Sequence, residues 1–117
     1  MACTIERSSA YEIHLRDLLK TYPRSRSTIE SLISGLADQP EQGDVYPGFG
    51  PAQVRKVRIA LPEYRLGQSS GVRLLYLFKP QSGKILLLAI YRKGAIKAEH
   101  EVIRLIKKAL KEELGKN

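Results

Sequence analysis

Lys56 and Arg58 stand two residues apart in an alternating stretch, Arg73 opens a second apolar stretch, and Tyr91 and Lys93 close a third, again two apart. Successive side chains of a strand point to opposite faces, so each pair at this spacing shares a face. Guanidinium and ammonium groups bind phosphate oxygens. Gathered round a phosphodiester they can also do chemistry. Cleavage of RNA by its own 2′-OH needs the hydroxyl proton removed, the crowded anionic phosphorane stabilised, and the departing 5′-oxygen helped. Fixed Arg and Lys charges meet the second need, and a lysine or tyrosine can take part in proton transfer. Each residue also has a plainer reading. Lys56, Arg58 and Arg73 could be the solvated face of a half-exposed strand, and Tyr91 could close a core with a wet hydroxyl.

Other chemistries lack their residues. There is no CxxC, HExxH, GxSxG or glycine-rich phosphate loop ahead of a helix. His14 and His100 fall in helical stretches without metal-type partners and read as surface or packing residues. Cys3, the one cysteine, has no neighbouring base and reads as inert; it permits no internal disulfide and suits a reducing, cytoplasmic setting. No metal or cofactor is expected. Glu63 could serve as a base but reads better as a loop residue. Tyr76 and Phe78 read as packing rather than as stacking platforms.

Charge adds a direction. The formal net charge is +8 over 117 residues. Between Gln53 and Lys93 the basic residues are Arg55, Lys56, Arg58, Arg65, Arg73, Lys79, Lys84, Arg92 and Lys93, against the single acid Glu63. This segment holds the entire excess, and the rest of the chain is neutral. Charge concentrated in this way suits a polyanion, most commonly nucleic acid. The N-terminus lacks the apolar run of a signal peptide, and the apolar stretch from Ile85 to Ile90 is too short to cross a bilayer.

The elements that must hold these residues can be read from the pattern. Residues 2–6 form a weak edge strand. Ser9 and Glu12 have capping-box spacing, and Tyr11, Leu15, Leu18, Leu19 and Tyr22 follow on one helical stripe until Pro23 stops it. Ser27 and Glu30 form a second box, ahead of the stripe Ile29, Leu32, Ile33 and Leu36, so a helical hairpin is expected. Residues 38–53 hold three prolines and three glycines and read as a loop. Strands follow over Val54–Leu61, Val72–Lys79 and Lys84–Arg92. The last two are joined by a hairpin turn at Pro80-Gln81-Ser82-Gly83, and the last is apolar enough to be central. A helix from Lys97 to Leu114, capped by Gly115, closes the chain. The whole is one α+β domain over residues 1–117.

The stretch from Gly43 to Phe78, with the following Lys84-to-Gly94 segment and the terminal helix, resembles the RelE/ParE toxin superfamily, most closely its HigB branch. Four ordered pieces carry the likeness: Gly43-Asp44-Val45, the basic strand Arg55 to Ile59, the G-x-R-x-x-Y run from Gly71 to Tyr76, and Ile90-Tyr91-Arg92-Lys93. It departs from the branch at Leu66-Gly67-Gln68-Ser69-Ser70, where glycine and basic residues are usual, and at Gly94-Ala95, where an Asn-Glu pair is usual. The resemblance implies a RelE-like fold, a small antiparallel sheet with an N-terminal helical hairpin and a C-terminal helix. It implies the toxin of a type II toxin–antitoxin pair: a cytoplasmic, metal-independent endoribonuclease that cuts mRNA in the ribosomal decoding site, with 16S rRNA contacts. A cognate antitoxin would neutralise it. By position, Lys56, Arg58, Arg73, Tyr91 and Lys93 would be catalytic, and Arg55, Arg65 and Arg92 would contact RNA. Two rival functions stand beside this: a ParE-like inhibitor of gyrase, and a non-catalytic nucleic-acid-binding or degenerate protein of the same fold.

Overall fold

The computed structural model describes residues 2–49, 51–96 and 99–114. The chain is α+β. β1 (Thr4–Arg7) leads into α1 (Ser9–Thr21), a 3₁₀ turn at Pro23–Ser25 and α2 (Arg26–Asp38); then come β2 (Asp44–Val45), β3 (Gln53–Ile59), a 3₁₀ turn at Pro62–Tyr64, β4 (Val72–Lys79), β5 (Lys84–Arg92) and α3 (Glu99–Leu114). The five strands lie in the order β1-β5-β4-β3-β2. The expected meander β3-β4-β5 is antiparallel, as is β2 on β3, but β1 joins β5 in parallel, so the sheet is mixed rather than antiparallel. The long connection from α1 through β4 makes this possible, because parallel neighbours cannot be joined by a tight turn and need a long crossover. The expected helix start at Lys97 and the cap at Gly115 lie outside the described residues.

The sheet is covered on both faces, which explains the near-continuous apolar runs of β4 and β5. One face, carrying Val57, Ile59, Val72, Leu74, Tyr76, Ile85, Leu87 and Ile90, meets Tyr11, Leu15, Leu18, Ile29, Ile33 and Leu36 of the helical hairpin. The other, carrying Val54, Leu75, Leu77, Leu86, Leu88 and Ala89, meets Tyr46 and Val102, Ile106 and Ala109 of α3. A bulge breaks the β4–β5 register: Tyr76 faces Leu87, but Leu75 faces Ala89. Leu88 is the extra residue, and Leu88 and Ala89 both join the α3 side. From there on every β5 side chain has exchanged faces, so Ile90 belongs to the hairpin core.

Local capping differs from the spacing argument. Ser8, not Ser9, caps α1: its Oγ accepts the Tyr11 amide at 3.0 Å and donates to the Leu88 carbonyl at 3.2 Å. Ser27 caps nothing. The 3₁₀ turn runs directly into α2, whose cap residue Ser25 turns its hydroxyl back to the Tyr22 carbonyl at 2.7 Å. Among the described residues no helix is long and apolar enough to cross a membrane.

Candidate nucleic-acid interface

Arg58, Arg73 and Tyr91 stand directly opposite one another on β3, β4 and β5. Side chains paired across strands share a face, so the three form one row, ~10 Å from end to end at the usual strand spacing. Lys56 shares that face, two residues along β3 and opposite Leu75. The row lies on the α3 side of the sheet, beyond the apolar patch that α3 covers, and Tyr91 packs against that patch. Tyr91 reaches the row only because of the bulge. In the register kept by Tyr76 and Leu87, Arg73 would face Ile90.

The row is graded in exposure. Arg58 is open to solvent. Lys56 is half-buried, its Nζ 5.8 Å from the centre of the Tyr46 ring, a distance at which a cation is attracted by the ring face. Arg73 is buried, at 8% exposure. Its Nη1 donates to the Gln68 carbonyl at 2.9 Å and the Val72 carbonyl at 3.4 Å, and its Nη2 to the Ser69 carbonyl at 3.1 Å. Burial lowers the Arg73 pKa, the neighbouring Arg58 lowers it further, and Tyr91 opposes the shift. The guanidinium stays charged regardless.

Arg73 therefore has two tasks. It holds positive charge under the row, and it holds the loop at 67–70 over the end of the sheet. Gly71 seats that loop: a Cβ there would lie 2.1 Å from the Ile59 carbonyl oxygen, so no side chain fits. Gly43 is also closely approached, though less tightly: a Cβ there would lie 2.8 Å from the Tyr76 hydroxyl and 3.0 Å from the Lys56 carbonyl oxygen. That hydroxyl accepts the Gly43 amide at 2.9 Å and donates to the Pro40 carbonyl at 2.8 Å, which pins the segment ahead of β2. The glycines of two of the resemblance motifs thus owe their identity to close approach.

The other basic residues do not join the row. Arg55 faces the hairpin side, opposite Tyr76, where Nη1 donates to the carbonyls of Gly43 at 2.7 Å and Glu41 at 3.2 Å, and Nη2 meets the Glu41 carboxylate at 3.5 Å. Arg92 also faces the hairpin side. Its Nε donates to the Ser70 carbonyl at 2.7 Å, and its guanidinium lies over the Tyr22 ring and bonds the Tyr22 hydroxyl. Both are structural clamps in this setting. Lys93 is exposed just past β5, where its amide donates to the Gly71 carbonyl. Arg65 is exposed at the end of the second 3₁₀ turn, in a left-handed conformation at φ 59°.

Glu63 has the loop role: its carboxylate accepts from the Thr28 hydroxyl at 3.0 Å and its carbonyl from Arg24 at 3.3 Å. Tyr76 and Phe78 are core residues, and Cys3 packs at the edge of the hairpin core. His14 is half-buried, and burial lowers its pKa. It lines a largely apolar groove of about 390 Å³ between α1 and the end of β5.

Sequence reasoning missed a second hollow, of about 240 Å³, lined by Leu32, Gln42, Asp44, Lys56, Arg58 and Gln68. Its lining residues come from α2, the β2 segment, β3 and the 67–70 loop, so no stretch of sequence announces it. Among the described residues no cluster of His, Cys, Asp and Glu could hold a metal ion. No protein-family model matches this sequence, and no curated protein matches it either.

Proposed function

We propose that this chain is an RNA-cutting toxin of the RelE/HigB type, acting on mRNA in the ribosomal decoding site and held in check by a cognate antitoxin. The observation that supports it is the register of Arg58, Arg73 and Tyr91 in one cross-strand row with Lys56 beside it. In the proposed reaction the 2′-oxygen bonds to phosphorus and the bond to the 5′-oxygen breaks, leaving a 2′,3′-cyclic phosphate and a 5′-hydroxyl. Arg58 takes the scissile phosphate at the surface, and Arg73 adds positive potential from beneath, where the lower dielectric strengthens it. Lys56 and Tyr91 lie at opposite ends of the arginine pair. That suits a division of labour in which one accepts the 2′-OH proton and the other serves the leaving oxygen.

The test is inducible expression in a bacterial host with mRNA 5′ ends mapped. The wild-type chain should arrest growth and leave new in-frame cuts in translated messages. Arg58→Ala should lower cleavage by about 100-fold or more while the protein stays folded, the usual scale for a group that stabilises developing charge. A soluble Arg58→Ala chain that remains fully toxic would sink the assignment. Arg73→Ala is a poorer probe, because it also frees the loop carbonyls of Gln68 and Ser69.

One observation favours a second reading, RNA binding without cleavage: much of the Arg73 guanidinium is engaged by backbone carbonyls. Salt-sensitive RNA binding by a chain that neither arrests growth nor cuts message would select it. Arrest without cuts would point to a protein target such as gyrase.

A further inference from the structure

β2 pairs with β3 only at Asp44–Lys56 and Val45–Arg55, so the edge of β3 beyond Lys56 has no strand beside it among the described residues. The Tyr46 amide donates to the Val54 carbonyl, and Gly43 abuts the Lys56 carbonyl. The main-chain groups of Val54 and Lys56 therefore point toward β2. By the alternation of an antiparallel ladder those of Arg58 point the same way, but there β2 has ended and the 240 Å³ hollow begins. Asp44 stands at its rim. No hydrogen bond or ion pair holds the Asp44 carboxylate among the described residues, although Lys56 is its cross-strand neighbour. Instead the Lys56 ammonium lies over the Tyr46 ring. An acid left without a partner beside the most basic segment of the chain is available to a ligand.

The hollow is smaller than the roughly 300–1,000 Å³ of sites for drug-sized molecules, and its walls are mainly polar, with Leu32 on one side. It shares Arg58 with the cationic row. Its contents suit one unstacked base of a single strand whose phosphate lies on that row, the usual mode of sequence-specific RNA recognition. The available groups are a main-chain N–H, from Arg58, near a carboxylate that only accepts. Among the four bases, guanine alone shows an acceptor, O6, next to two adjacent donors, N1–H and the N2 amine. Adenine and cytosine offer a carboxylate one donor beside an acceptor, and uracil one donor between two acceptors.

Building on the RNA-cutting reading above, we infer that the hollow between α2, the β2 segment and the open edge of β3 is a guanine-reading site, in which Asp44 accepts from N1–H and the N2 amine and the Arg58 amide donates to O6. Gln68 is placed to contact the ribose or the base edge from the loop that Arg73 holds.

The experiment uses the full chain and four fluorescein-labelled 2′-O-methyl hexanucleotides, UUNUUU with N as G, A, C or U, which resist cleavage because the attacking hydroxyl is blocked. Anisotropy at one fixed salt concentration should give the G probe about tenfold tighter binding or more. Asp44→Asn, an exposed and nearly isosteric change, should bring the G probe to the level of the others and leave those within about twofold. An inosine probe, lacking the N2 amine, should fall between G and A. Equal, salt-sensitive binding of all four probes overturns the guanine site and leaves the RNA reading standing. A G preference that survives Asp44→Asn overturns the site as assigned. Binding of no probe overturns the guanine site, while the RNA-cutting reading stands or falls on the mapped 5′ ends.

Discussion

Arg58 and Arg73 are directly opposed on neighbouring strands, an arrangement in which like charges repel. Arg58 is also the second cause of the lowered Arg73 pKa. A fold selected for stability alone would place a neutral β-former at residue 58. Arg58→Thr should therefore raise stability by about 0.5 kcal/mol, measured by denaturant unfolding, while lowering RNA binding and cleavage. A loss of stability would mean that Arg58 has a structural role. Tyr11 shows the opposite case, a polar group held for packing. It is fully buried against the hairpin core, and burial pushes its hydroxyl up to about 12. A pKa raised in the folded state gives stability that is complete below the unfolded value near 10 and is lost as pH rises from there toward 12. The wild type should lose up to about 3 kcal/mol across that window, and Tyr11→Phe should show no such component. Equal alkaline slopes in the two proteins would refute the assignment.

At the scale of elements, the junction between β1 and α1 is held by Ser8, through its hydroxyl and through its amide, which donates to the Leu87 carbonyl. Ser8 caps α1 and also ties the helix start to the Leu88 carbonyl, at the bulge. Ser8→Ala should cost about 1–2 kcal/mol, whereas Ser9→Ala, one residue away and exposed, should cost almost nothing. Thermal unfolding of the two variants separates them, and a larger loss from Ser9→Ala would restore the cap expected from spacing. Capping-box spacing misled here because Ser8 and Ser9 are adjacent and only the backbone path into the helix selects between them. The strands were legible for a firmer reason: alternation and turn chemistry are local, so β4, β5 and the turn before Lys84 appear where the pattern put them, and β3 differs only in starting at Gln53 and ending at Ile59 instead of Leu61. β1 also appears as the expected edge strand, but its parallel pairing depends on the long path of the chain from α1 through β4.

For the molecule as a whole, the excess positive charge divides by face. Lys56, Arg58 and Arg73 share the α3 side, while Arg55 and Arg92 are turned to the hairpin side and hold backbone carbonyls there. This division is measurable as a salt dependence. Single-stranded binding releases counterions with a slope of about −0.7 per phosphate contact, so contacts from Lys56 and Arg58, the two that reach the surface, should give a log–log slope of about −1.4. Arg58→Ala should reduce its magnitude by about 0.7. Arg55→Ala should leave the slope unchanged and lower stability instead, because the Gly43 and Glu41 carbonyls would lose their donor. An Arg55→Ala chain with a shallower slope and undiminished stability would move that arginine into the interface.

The sequence alone determined the helical hairpin, the three-strand meander, the α+β class and the central place of β5, because each follows from periodicity and turn residues acting over a few positions; β2, at Asp44–Val45, lies inside the stretch read as a loop. It also located the excess charge and named every member of the cationic row. It could not say which face of the sheet the hairpin would cover and which would meet α3. Arg55 and Arg92 lie beside row residues in the chain, yet they point away from the row. Tyr91 joins the row only because Leu88 is an extra residue in β5, a one-residue slip that exchanges the faces of all that follow. The hollow beside Asp44 draws its walls from four separate elements and exists only where β2 stops short of β3. These features depend on register and on the reach of long side chains across the fold, and both are settled by packing between parts of the chain far apart in sequence.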